Sequence, residues 1–167
     1  MASGETAQAH TETTDATKPQ VVAMDDLKTL AGQDVGCSSW RRVTQEQIDA
    51  FAHATEDHQW LHVDPVRARS GPFGLTIAHG YLTLSLLPAL LNEVLEVSGV
   101  SMVVNYGLNR VRFIAPVLSG SKVRLCVQCQ DVSEFKGGMQ ATLLMTVERE
   151  SEERPACVAE VIFRFYR

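Results

Sequence analysis

The stretch Ile77–Val97, IAHGYLTLSLLPALLNEVLEV, decides the fold. From Ile77 to Leu91 it holds no Asp, Glu, Lys or Arg, and apolar side chains at Tyr81, Leu82, Leu84, Leu86, Leu87, Leu90 and Leu91 leave a helix no solvent face. A helix that is apolar all round has to be buried. The run is too short and too interrupted for a bilayer, which needs about 20 continuous apolar residues, so protein must cover it. One curved sheet wrapped round one central helix does this most economically.

The sheet lies downstream. After Gly99 the segments SMVVNYG, LNRVRFIAPV, SKVRLCVQCQDV, QATLLMTVERE and ACVAEVIFRFYR carry β-branched and aromatic residues. Val111 and Phe113 alternate with Arg110 and Arg112, and Val161, Phe163 and Phe165 with Glu160 and Arg164, the period of a strand with one buried face. Short joints at Leu118-Ser119-Gly120, Lys136-Gly137-Gly138 and Glu152-Glu153-Arg154 predict five successive antiparallel strands. Upstream, CSSWRRV reads as a first strand, and Asp25–Gly32 as a short helix with an Asp cap and a Gly stop. Thr44 and Gln47 have capping-box spacing, and Ile48, Phe51, Ala52 and Thr55 then recur at helical spacing to a stop near Glu56. The fold class is therefore α+β.

The 167 residues bound the chain to one domain. Residues 1–20, with no apolar run to bury or to direct secretion, read as a disordered leader of a cytoplasmic protein, and residues 21–167 as the domain. A formal charge of -5 and a pI near 5.5 argue against nucleic acid or an anionic membrane as partner. Cys37, Cys126, Cys129 and Cys157 are too few and scattered for a disulfide scaffold. Strand alternation puts Cys126 and Cys129 on opposite faces, so this lone CxxC cannot grip one metal and both read as ordinary strand cysteines.

Between the capped helix and the apolar run, Asp57–Ser70 (DHQWLHVDPVRARS) breaks the helical period and is dense in polar groups. A short helix restarts at Asp64-Pro65, and Gly71-Pro72-Phe73-Gly74 makes a turn. His58 and His62 stand four apart, but on a broken segment that disfavours a shared metal. Taken singly, Asp57 is an ordinary turn acid and His62 an ordinary loop histidine.

Together they carry a resemblance. Asp57-x4-His62, then Ile77-Ala78-His79-Gly80 opening an apolar helix, then Arg112-Phe113-Ile114-Ala115-Pro116-Val117, resembles the MaoC-type, R-specific enoyl-CoA hydratases of the hot-dog fold, from about Thr44 to the C-terminus. The resemblance implies a single antiparallel sheet around a central helix, a homodimer joined sheet edge to sheet edge, an enoyl thioester of coenzyme A or acyl carrier protein as substrate, and no cofactor or metal. It places the catalytic carboxylate at Asp57 and the imidazole at His62. Gln59 and Trp60 depart from the family's Asn and Pro, and Pro88 stands where some relatives carry a serine.

The chemistry accounts for the pair. Adding water across a 2-enoyl thioester removes a proton from water as oxygen attacks Cβ and delivers one to Cα, which a carboxylate and an imidazole holding one water can do. Enolate charge on the thioester oxygen needs a donor, and Gly80, in the first turn of the apolar helix, offers its backbone N–H with no Cβ in the way. His79 positions this turn or orients a neighbour; Gln59, Trp60 and Arg112 complete the substrate side. Arg112, with Arg110, either meets the phosphates of coenzyme A or belongs to a solvated charged face. A hot-dog thioesterase would carry an acid on the long helix, where none precedes Glu93. A non-catalytic thioester-binding subunit would not need Asp57 and His62.

Overall fold

The computed structural model describes residues 18–167; the leader assigned to residues 1–20 lies almost wholly outside them, and Gln20 already opens the first strand. Chain order is β1 (Gln20–Ala23), a 3-10 helix (Met24–Leu30), β2 (Asp34–Cys37), β3 (Arg41–Arg42), α1 (Gln45–Thr55), α2 (Trp60–Val63) and α3 (Pro65–Ala68). Then follow α4 (Gly80–Ser85), α5 (Leu87–Leu91), β4 (Leu95–Ser98), β5 (Met102–Phe113), β6 (Lys122–Phe135), β7 (Gly138–Arg149) and β8 (Cys157–Tyr166). The main sheet runs β2-β6-β7-β8-β5, with β3 also on β6. The residues of β7 and β8 alternate between buried and half-buried along their length, which gives the sheet one inner face. Against that face sit Leu82, Leu87, Leu90 and Leu91 of the central helix. This is the α+β hot-dog arrangement.

Several expectations change. The apolar helix is Gly80–Leu91 and not Ile77–Val97: it is interrupted at Leu86, two residues before Pro88, and Leu95–Ser98 is a strand paired in parallel with Gln20–Ala23. Proline has no N–H to continue the ladder, and a strand 75 residues upstream claims the segment beyond. Nor is the helix wholly covered, since Tyr81 is 70% exposed and only meets Phe113 edge-on.

The segments SMVVNYG and LNRVRFIAPV are one strand, β5, paired with β8 throughout, so four long strands stand where five were expected. Bulges at Asn105/Gly107 and Leu108/Arg110 let the chain pass the glycine without turning. The CSSWRRV strand splits into β2 and β3, and the short helix after β1 is a 3-10 helix capped by Ala23 rather than by Asp25. Thr44 and Gln47 do form the capping box, and Glu56 ends α1 in the left-handed region.

Cys126 and Cys129 do face opposite sides, but Cys126 is not an ordinary free cysteine. It lies directly across β2–β6 from Cys37, and the two form a disulfide closing 89 residues of chain. Cys129 and Cys157 are buried and free, burial pushing each thiol up to about 11.

Candidate active site

The left-handed Glu56 turns the chain out of α1 and presents Asp57, and Gln59 then caps α2, whose third residue is His62. Asp57 stays open to solvent, its side chain 55% exposed, whereas His62 is buried. His62 Nδ1 lies 2.7 Å from the Ile77 carbonyl. A carbonyl only accepts, so Nδ1 carries the proton and Nε2 keeps its lone pair. Ile77 in turn donates its N–H to Leu61, which ties α2 to the segment entering α4.

His79 joins the two. It caps α4, is 3% exposed, stacks on His62 with ring centroids 3.7 Å apart and planes at 24°, and brings Nε2 to 3.0 Å from the Asp57 carbonyl and 3.9 Å from its Oδ2. Phe51 of α1 packs against its ring at 5.1 Å. The ligand-capable atoms of Asp57, His62 and His79 lie within 4.8 Å of one another. Stacked rings are nevertheless poorly set to share an ion: with planes 24° apart and centroids at 3.7 Å, one metal cannot lie close to both ring planes at bonding distance.

Gly80 follows directly. A Cβ there would meet Cγ and Cδ2 of Phe113 at 2.9 Å, so the glycine lets the β5 end close over the helix start while its N–H, in the first turn, has no helical acceptor. Gln59 donates its N–H to Asp57 Oδ1 at 3.4 Å and accepts from His62 N–H. Both of these contacts are made by its backbone. Trp60 is occupied by Arg67, 4.4 Å over its ring, and lies against Gly71.

Arg112 is not brought to this cluster. It pairs with Val158 while its neighbour Phe113 pairs with the buried Cys157, so Arg112 points from the outer face of the sheet, and its guanidinium donates to the Val111 carbonyl. Sequence reasoning also passed over Gln45. Its Nε2 donates to the His62 carbonyl and to Asp49, both at 2.8 Å, and its Oε1 accepts from Thr76 Oγ1. The only signal was its place at the start of a capped helix.

Burial holds His62 below the ordinary histidine value of about 6.5, with the neighbouring His79 acting in the same direction and the Ile77 bond and Asp57 opposing it. The folded state thus resists a proton that the unfolded chain accepts. The resulting stability is present above about 6.5 and is lost as the pH falls through that value toward the folded pKa. Thermal midpoints between pH 7.5 and 5 are expected to drop more steeply for the wild type than for His62→Gln; equal slopes would mean that His62 is not buried neutral.

Beyond Gly80, two abutting clefts of about 380 and 500 Å³ share Pro88, Asn105 and Phe163 and run between α4–α5 and the inner side of β5, starting at Leu84 and ending at Val97.

A MaoC-like domain model matches residues 26–151. The chain belongs to the MaoC-like family. It is 53% identical to 3-hydroxyacyl-thioester dehydratase Z of Mycobacterium tuberculosis over 141 residues, covering 84% of this chain and 93% of that protein. It is 45% identical to nodulation protein N of Rhizobium leguminosarum over 148 residues, covering 84% and 89%. Among solved MaoC-like folds, the (R)-hydratase from A. caviae superposes with a TM-score of 0.66 at 28% identity, over 80% of this chain and 94% of that one.

Proposed function

We propose that this MaoC-like chain is a hydro-lyase that adds water to trans-2-enoyl thioesters, or removes it from R-3-hydroxyacyl thioesters. The observation that carries the reading is the His62 ring, fixed by Ile77 with Nε2 unprotonated, with a ring nitrogen within 4.8 Å of the open Asp57 carboxylate. The names of its relatives point the same way, one a 3-hydroxyacyl-thioester dehydratase and another, 33% identical over 96 residues, an (R)-specific enoyl-CoA hydratase.

Asp57 and His62 hold one water between them. As its oxygen bonds to Cβ, the pair takes one proton and returns one to Cα, so that one molecule of water adds in sum. The Gly80 N–H meets the thioester oxygen as the enolate forms, and the acyl tail follows the clefts past Pro88. The carrier is coenzyme A or an acyl carrier protein, and the setting is the cytoplasm, where reducing thiols would bear on the Cys37–Cys126 bridge. Among the described residues no helix is long and apolar enough to cross a membrane. The central helix itself carries no acid, and Glu93, just beyond its end, is held by Ser39 and Arg41, which leaves the thioesterase reading without a free acid there. Crotonyl-CoA separates the readings: enoyl absorbance is expected to fall with no release of thiol, whereas thiol release would indicate a thioesterase, and no change a binding subunit.

The active unit on this reading is a homodimer. β5 is an edge strand of 12 residues carrying exposed Met102, Val103, Tyr106, Leu108 and Phe113, with Tyr81 beside it. An unpaired apolar edge invites a second strand, and antiparallel pairing of two β5 strands closes on itself. Light scattering should give twice 18.4 kDa, with activity falling on dilution; a fully active species of single-chain mass would exclude the shared site.

A further inference from the structure

Among the described residues, His79 Nδ1 is the buried side-chain nitrogen that lacks a hydrogen-bond partner. Such an atom is destabilising, and a phenylalanine would fill the same space without it. The imidazole's other features account for its presence. Nε2 lies 3.0 Å from the Asp57 carbonyl, which can only accept, so Nε2 carries the proton and a second proton on Nδ1 would find no acceptor. The ring face meanwhile supports His62 at 3.7 Å.

We propose that His79 is a positioning residue that sets the spacing of Asp57 and His62, its Nε2–H fixing the Asp57 main chain and its ring serving as the platform for the His62 imidazole. The inference rests on the hydration reading above and names how that site is held. Asp57 needs such a support: its side chain is half exposed, and its carboxylate has only the long 3.4 Å contact from the Gln59 N–H and the 3.9 Å approach of His79 itself. His62 needs it differently, because the bond to Ile77 fixes one edge of the ring and leaves its tilt free. His79 can serve both because it sits where the chain enters α4, with Phe51 behind it. Displacing a catalytic group by about 1 Å can cost about 10²-fold in rate.

Three proteins test this: wild type, His79→Phe, which keeps a stacking ring but no donor, and His79→Gln, which restores a donor without the ring. Hydration of crotonyl-CoA by His79→Phe is expected to lose roughly 10- to 100-fold in kcat, with KM and thermal midpoint near wild type, and His79→Gln to recover part of that loss although it is the less stable protein. Wild-type kcat in His79→Phe, or losses that simply follow the thermal midpoints, would overturn the proposal. If His79→Phe does not fold, His79→Gln decides: a partial loss, short of that of Asp57→Asn, supports it, and either wild-type kcat or a loss as deep as that of Asp57→Asn overturns it. A crystal structure of a folded variant is judged without any assay. In His79→Phe the Asp57 carbonyl should shift by about 1 Å, and an unmoved Asp57 would refute the proposal. A wild type inactive on enoyl thioesters would instead remove the hydration reading and leave the crystallographic outcome standing.

Discussion

Asp57→Asn and His62→Gln are each expected to abolish most hydration while leaving the fold in place. On the proposed mechanism each removes one partner in the two proton transfers, and a positioned acid or base contributes roughly 10²–10⁴-fold. The fold should tolerate both changes for different reasons. Asp57 is half exposed and makes only one long side-chain hydrogen bond, so the amide loses little. His62 is buried, but a glutamine can still offer an N–H toward the Ile77 carbonyl that now receives Nδ1–H. Steady-state rates with crotonyl-CoA, read beside thermal melts, check this. Near-full activity in either folded variant would place the chemistry elsewhere.

The second large effect is expected at Gly80. On the proposed mechanism Gly80→Val should lower turnover by about 10²-fold, as the loss of an oxyanion donor does, because the N–H is kept but the carbonyl can no longer approach it, and should lower stability less. A Cβ at this position would come within 2.9 Å of the Phe113 ring, so the ring must swing away and the space for the thioester carbonyl narrows. Phe113 is 47% exposed and can move, which limits the cost to the fold to the 1–3 kcal/mol typical of overpacking. Pairing Gly80→Ala with Phe113→Ala should restore the fold's margin. Unchanged turnover in a folded Gly80→Val protein would take Gly80 out of the oxyanion role.

What could be read from the chain was whatever depends on near neighbours. The capping box at Thr44 and Gln47, the stop after Thr55, the restart at Asp64-Pro65 and the alternation of β8 all follow from contacts within a few residues, and all are present. The apolar run located the central helix because a segment without a polar face has one place to go. Spacing and resemblance singled out Asp57 and His62, which the fold brings within 4.8 Å of each other, and Gly80 with them as a proposed donor.

Distant pairing decided the rest. Nothing local in LEVS distinguishes the last turn of a helix from a strand; pairing with Gln20–Ala23 does. Tyr81 looked buried because the run around it is apolar, but it stands at the uncovered end beside an edge strand. Cys37 and Cys126 are 89 residues apart and become a bridge only through the β2–β6 register. His79 under His62 and Gln45 behind His62 are likewise products of packing. Periodicity and caps are fixed by neighbouring residues and so are written in the sequence itself, whereas register and stacking depend on which remote segments close on each other, and only the folded chain sets those distances.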